Sequence, residues 1–478
     1  MKPLPVVRRE PGSTFLDILR RRALEQPSRR VFTLLEDGET ETRHLDFAEL
    51  DRQARAIAAT LQRSGSAGER ALLLYPFGLD YAAAFFGALY AGVVAVPVYP
   101  PDPARLHRTL PRLRAIAQDA QATLVLTTGA IRDLVDGLTS HAPELASLRW
   151  VATDALEPGV EQAWRPPEVT SSTLAFIQYT SGSTAVPKGV LLTHGNLLHN
   201  SAIIQRAFGG TEDSVGVSWL PMYHDMGLIG CVLQPVYAGF PIVLLPPESF
   251  LQKPVRWLRA ISRYRGTHSG APNFAFDLCA RKVTPEQHEG LDLSSWSYAF
   301  NAAEPVRPDT LERFTRAFAS RGYRADAPRP LYGLAEATLM VTGGFQGTRR
   351  MVRTVDGAAL ESWWIVELPE GTPGSRRMVG LGRPWLDAQV VIVDPVTRKR
   401  CSSDRVGEIW VSGPSVAQGY WNRPEETEHT FRAMRADTDE GPWLRTGDLG
   451  FLQDGELFFA GRIKDLIIIR GRNHYPQD

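Results

Sequence analysis

Residues 179–190 read Tyr-Thr-Ser-Gly-Ser-Thr-Ala-Val-Pro-Lys-Gly-Val, a polar turn between the apolar runs 174–178 and 189–192. Its composition suits an anion. In a strand-to-strand loop, the backbone N–H groups from Thr180 to Thr184 and the hydroxyls of Ser181, Ser183 and Thr184 line one concavity, with Gly182 keeping it open. Lys188 adds a positive charge beside it. A phosphate is the natural occupant. The nucleotide loop of P-loop NTPases would need Gly-x-x-x-x-Gly-Lys-Ser/Thr running into a helix. Here Pro187 precedes the lysine and removes an N–H from the nest, and Gly189-Val190-Leu191-Leu192 continues as a strand.

The elements around this loop follow from hydrophobic periodicity. Leu50, Ala54, Ile57, Ala58 and Leu61 recur at helical spacing behind Asp46 and Glu49, placed as a capping pair. A buried strand at 71–75, a helix from about Asp80, a strand at 93–98, a helix at 104–119 and a strand at 123–126 follow. Short apolar strands alternating with helices predict an α/β fold with a mostly parallel, doubly wound sheet covered on both faces. In such sheets ligands sit at the C-terminal ends of the strands, where the strand 174–178 delivers the loop. From about Val379 the texture changes to short strands at 389–393, 407–412 and 456–459, predicting a smaller β-rich subdomain. Between them lies the glycine-punctuated stretch 341–378 with Trp363 and Trp364.

Bulk properties narrow the function classes. A chain of 478 residues needs more than one core. Its 53 basic and 53 acidic residues balance, and no charged tail argues for nucleic acid. Cys231, Cys279 and Cys401 are too dispersed for a disulfide framework or a zinc site and fit a reducing, cytoplasmic setting. The apolar stretches 81–99 and 229–245 switch from helical to β-branched patterns and carry glycines and prolines. They read as buried helix-then-strand units rather than membrane spans.

Taken in order, six blocks resemble the adenylate-forming superfamily of acyl-CoA synthetases, luciferases and peptide-synthetase adenylation domains. They are the loop at 179–190, Trp219-Leu-Pro-Met-Tyr-His-Asp-Met-Gly-Leu228, Asn301-Ala-Ala-Glu-Pro305, Tyr332-Gly-Leu-Ala-Glu-Ala-Thr338, Arg445-Thr-Gly-Asp448 and Gly461-Arg-Ile-Lys-Asp-Leu466. Within it the second and fourth blocks, the run 461–474 and the long stretch between Glu336 and Val379 look most like fatty acyl-AMP ligases. The resemblance implies two doubly wound sheets plus a smaller β-rich subdomain. It also implies ATP-dependent activation of a fatty acid, with Mg²⁺, and transfer of the acyl group to the phosphopantetheine of an acyl carrier protein, the alternatives being acyl transfer to coenzyme A or a non-catalytic adenylate-binding remnant. Residues 1–462 would form the large domain, with 341–378 as an insertion that disfavours coenzyme A. Residues 463–478 would be the hinge and the stub of a small domain.

The resemblance also assigns roles. Thr180 to Thr184 and Lys188 would hold phosphates, and Glu336 would bind Mg²⁺. Asp448, in a Thr-Gly-Asp turn, and Arg462 would hold the ribose. Tyr332 would offer a stacking face to adenine, with Gly333 beside it and the backbone of Ala303, Glu304 and Pro305 along the adenine edge. His224 would sit beside the reacting carboxylate, and Trp219, Met222, Met226, Phe274 and Phe276 would line the acyl tunnel. Lys464 would mark the hinge. Two departures, Ala185 for glycine and Ala335 for threonine, leave single phosphate contacts open. The chain stops after the apolar run 466–469 without a closing element, which reads as a truncation. The family's catalytic lysine would then lie beyond Asp478, and adenylation by this chain would be slow.

Overall fold

The computed structural model describes residues 13–100, 106–136, 143–180, 187–344, 351–465, 467–469 and 472–474. Two large sheets and one small one make the frame. The first has six strands in the order Arg149–Ala152, Leu124–Thr127, Arg70–Leu74, Val94–Pro97, Leu174–Tyr179, Gly189–Thr193. The first five run parallel and the last returns antiparallel beside Leu174–Tyr179. The loop at 179–190 is therefore a hairpin connection at the C-terminal end of a parallel strand. Its central residues Ser181, Gly182, Ser183, Thr184 and Ala185 lie outside the described residues.

The second sheet has nine strands. Its parallel centre includes Pro328–Gly333, Tyr298–Asn301, His268–Ala271, Gly216–Ser218 and Ile242–Leu244, and antiparallel strands close both edges. The two sheets share one apolar core. Packed into it are the helices Phe47–Arg63 and Leu79–Ala91, the first capped by Asp46, whose carboxylate accepts the Glu49 N–H at 2.8 Å. The second is apolar all round, as expected of a helix with neighbours on every side. The two helices touch at Gly87, where a Cβ would lie 2.6 Å from Ile57 Cγ2, so no larger residue fits there without displacing Ile57. Residues 81–99 are thus a buried helix followed by a buried strand. Among the described residues no helix is long and apolar enough to cross a membrane.

The β-rich subdomain is an antiparallel four-stranded sheet: Gln389–Val393, Gly407–Ser412, Leu444–Gln453, Glu456–Arg462. The third strand corrects the sequence reading, which placed Asp448 in a turn. Gly447 adopts φ 71°, a left-handed kink suited to glycine, and the pairing register slips between Leu449 and Gly450. These irregularities break the alternation by which a strand is recognised, yet the ladder continues on both sides.

The stretch between the second sheet and this subdomain folds as an antiparallel pair, Val352–Asp356 with Ser375–Val379. Val355 and Leu360 pack with Leu449, Phe451 and Phe458 of the small sheet. Arg377 pairs with Asp309 and Glu312 on the helix Pro308–Phe318, at 3.1 and 2.5 Å. The segment therefore bridges the small sheet and the large one.

Candidate active site

One cavity of about 1180 Å³ runs between the sheets and the small subdomain. The lining includes a polar set, Thr180, Lys188, Glu336, Asp448, Arg462 and Lys464, and an apolar set, Ile204, Phe208, Phe240, Phe300 and Leu339; His224 and Met226 also line it.

Part of the polar set is built on the small sheet. Asp448 and Arg462 are cross-strand partners, with Asp448 Oδ1 3.2 Å from Arg462 Nε. Tyr332 Oη donates to Asp448 Oδ2 at 2.8 Å. Burial pushes the Asp448 carboxyl up to about 6, against the opposing pull of Arg462 and the Tyr332 hydroxyl. Beneath it, Glu408 is 2% exposed; its Oε2 accepts from Arg445 at 2.9 and 3.0 Å and its Oε1 from the Gly447 N–H at 3.1 Å. Glu408 thereby fixes the kink that aims Asp448. Sequence reasoning missed it, although a glutamate inside the apolar strand Gly-Glu-Ile-Trp-Val-Ser was the available signal.

Tyr420, also missed, stands between the expected phosphate lysine and the expected metal carboxylate. Its hydroxyl donates to Glu336 Oε1 at 2.8 Å, and Lys188 Nζ lies 5.2 Å from its ring centroid. Lys188 also pairs with Glu426. The segment bearing Tyr420 is held by main-chain bonds: the Leu191 N–H to Gly419 O at 3.0 Å, Trp421 N–H to Gly189 O at 2.8 Å and Ala417 N–H to Glu336 O at 2.9 Å.

His224 caps the short helix Asp225–Leu228 and is half-exposed at the cavity wall. Its Nδ1 lies 2.6 Å from Asp225 Oδ1. Burial alone would lower its pKa, but the Asp225 charge and hydrogen bond outweigh that and raise it. The helix continues through a five-residue π segment, Ile229–Leu233, into Gln234–Ala238. Such bulges are frequent at functional sites. Ala303 lines the cavity at φ 70°, and Thr338, two residues after Glu336 in sequence, adopts φ 71°. Left-handed backbone at non-glycine residues is strain of the kind that clusters at ligand sites.

Several expected residues take other places. Tyr332 is 7% exposed, is not among the residues lining the cavity, and donates its hydroxyl to Asp448. Gly333, next to it, does line the wall. The Glu304 carboxylate turns away to accept the Phe274 N–H, and Pro305 is exposed. Of the expected tunnel residues only Met226 lines the cavity. Trp219 stacks on Phe250 at 4.0 Å, and Phe276 packs edge-on to Trp257 at 5.5 Å and Phe314 at 5.1 Å. Met222 is 3% exposed in the core, while Phe274 is 42% exposed at the surface. These aromatics form a separate core layer because the strand Gly216–Ser218 and the helix Asn273–Lys282 turn them toward Trp257 and Trp296.

Comparison with known proteins agrees with this geometry. The family described as AMP-binding enzyme matches residues 19–421. The medium-chain-fatty-acid–[acyl-carrier-protein] ligase of Moorena producens is 50% identical over 469 residues, covering 98% of this chain and 79% of the relative. The long-chain-fatty-acid–AMP ligase of Mycolicibacterium smegmatis is 39% identical, covering 91% of this chain and 71% of the relative. The fatty acyl-adenylate ligase of L. pneumophila, solved with acyl adenylate and pyrophosphate, superposes with a TM-score of 0.88 at 44% identity, covering 97% of this chain and 80% of that one. The chain belongs to the AMP-binding enzyme family, in its fatty acyl-AMP ligase branch.

Proposed function

We propose that this protein joins a fatty acid to AMP, releasing pyrophosphate, and passes the acyl group to the phosphopantetheine thiol of an acyl carrier protein. The observation that carries the reading is one cavity lined by the carboxylate–guanidinium pair of buried Asp448 and exposed Arg462, by His224, and by the apolar residues Ile204, Phe208, Phe240, Phe300 and Leu339. A carboxylate oxygen of the acid attacks the α-phosphorus of ATP, the bond to the β-phosphate oxygen breaks, and pyrophosphate leaves in line with the attack.

Asp448 accepts hydrogen bonds from the ribose hydroxyls and Arg462 donates beside them. Ala303 and Gly333 present backbone to the adenine edge. Lys188, with Thr180 and the loop Ser181 to Thr184, takes the phosphates, leaving Glu426 as it does so. His224, kept partly protonated by Asp225, neutralises the attacking carboxylate on its approach. Catalysis of this kind rests on positioning and charge stabilisation rather than on covalent participation by the protein.

The donor set fits Mg²⁺. Among the described residues no group of three or more His, Cys, Asp or Glu forms a protein cage, and Glu336 offers one carboxylate with an oxygen already oriented by Tyr420. Mg²⁺ takes one or two carboxylates together with phosphate oxygens and waters. Glu336 would hold it, and it would supply charge neutralisation at the phosphates.

The large domain is read as 1–462, with Lys464 at a hinge that reorients the chain between adenylation and transfer. The insertion 341–378, braced between the helix Pro308–Phe318 and the small sheet, supports transfer to a carrier protein rather than to coenzyme A. A cytoplasmic location and the absence of a nucleic-acid partner belong to the same reading. The test offers carrier protein and coenzyme A in competition and identifies the acylated thiol by mass spectrometry. Acyl-carrier product supports the proposal, and acyl-coenzyme A in its place refutes it.

A further inference from the structure

The helical run that begins at His224 presents one seam to the cavity. Met226, Gly230 and Gln234 all line it, spaced by four residues. From Met226 to Phe240 every residue is buried except Gly230, so the exposure of Gly230 is exposure to the chamber. A Cβ built there meets nothing closer than Leu339 Cδ2, at 3.9 Å. The missing side chain is therefore open space in the chamber, not a close approach of two backbones.

Gln234 is of a different character. It is 3% exposed, and among the described residues its Oε1 has no hydrogen-bond partner. An amide left so, on a cavity also lined by Phe208, Phe240 and Leu339, is penalised if an alkyl chain is pressed against it, because it then has no access to water. A chain that stops short leaves room for a water to satisfy it.

We infer that this seam is the ruler for acyl chain length: Gly230 opens the channel and Gln234 penalises a chain long enough to reach it. The inference rests on the reading of the cavity as a fatty-acid adenylation site. The eight helical steps from Met226 to Gln234 rise at most about 12 Å, which accommodates roughly eight to ten methylenes of extended chain. The preferred substrate is then a medium-chain acid, with short acids bound loosely and long ones penalised at the amide.

Binding of non-hydrolysable N-acylsulfamoyl adenosines tests this without requiring turnover, with acyl groups of about four to sixteen carbons titrated calorimetrically. Wild-type affinity is expected to climb to about ten carbons and then level or fall. In G230L the ten-carbon ligand loses about tenfold or more while the four-carbon ligand stays within about threefold, because the new side chain fills only the deeper channel. In Q234L the ratio of sixteen-carbon to ten-carbon affinity rises about fivefold or more, the orphan amide being gone. G230A adds one methyl at a helical position that favours alanine and gives the first shift in smaller measure if the leucine variant does not fold.

Variants that bind with the wild-type chain-length profile overturn the ruler. If sulfamoyl adenosine binds no more weakly than its acylated forms, or if D448N leaves both unaffected, the underlying reading of the cavity fails instead.

Discussion

Asp448 and Arg462 face one another across adjacent antiparallel strands, Oδ1 to Nε 3.2 Å, fourteen residues apart in sequence and paired in the ladder. A two-residue turn at Asp454-Gly455 sets that register, so the ribose pair is a property of a hairpin and not of two independent loops. Removing the charge by D448N is expected to cost about 1.5–3 kcal/mol of nucleotide affinity, the worth of hydrogen bonds to a charged group. Titration with adenosine, which carries no phosphate to confuse the reading, measures it.

The same carboxyl gives a pH dependence. Its pKa is raised to about 6 by burial, so the deprotonated form that accepts from ribose is lost as pH falls through that value. Adenosine affinity is expected to be flat above pH 7 and to drop about tenfold per unit below 6. D448N abolishes the slope. A profile that weakens on the alkaline side instead would contradict the assignment.

Tyr332 acts on Asp448 through one hydrogen bond of 2.8 Å. Y332F removes a donor that favours the charged carboxylate, so the midpoint of that pH profile moves upward while affinity at pH 8 falls by less than tenfold. A stacking role for the ring alone predicts no movement, since phenylalanine keeps the face.

Phe276 separates core from tunnel. It is fully buried against Trp257 and Phe314, so F276A is expected to cost about 3–5 kcal/mol of stability in chemical denaturation. The acyl chain-length profile of the folded fraction stays as in the wild type.

The contrast between Phe276 and Met226 shows where the sequence was legible. Period and capping located five of the first sheet's six strands within a residue or two, missing the edge strand Arg149–Ala152, and the helix Phe47–Arg63 with its cap Asp46. Ordered motifs located Asp448, Arg462, Glu336 and Lys188 on one cavity. Which face of a helix meets a cavity depends on how sheets pack, and both Phe276 and Met226 are simply apolar residues in helical segments. Tyr420 and Glu408 escaped for a related reason: their partners, Glu336 and Gly447, are brought to them by main-chain pairing between distant segments. The Gly447 kink hid a ten-residue strand by breaking its alternation.

Tyr420 touches both Lys188, through its ring, and Glu336, through its hydroxyl. Y420F should leave the fold intact, since the ring remains, but release Glu336 from its donor. The concentration of Mg²⁺ needed for half-maximal nucleotide binding is expected to rise about threefold to tenfold, in keeping with the loss of one orienting partner behind a metal-binding carboxylate. K188A raises the concentration of ATP required at every Mg²⁺ level, with adenosine binding unchanged.

The central claim is that this cavity activates an acid with ATP. It is tested most directly by incubating the protein with ATP labelled in the α-phosphate, Mg²⁺ and a medium-chain fatty acid, and resolving the products by mass. The account predicts acid-dependent acyl-AMP and pyrophosphate, both strongly reduced in D448N at limiting ATP. Cleavage of ATP to ADP and phosphate, or nucleotide turnover indifferent to the acid, would contradict it.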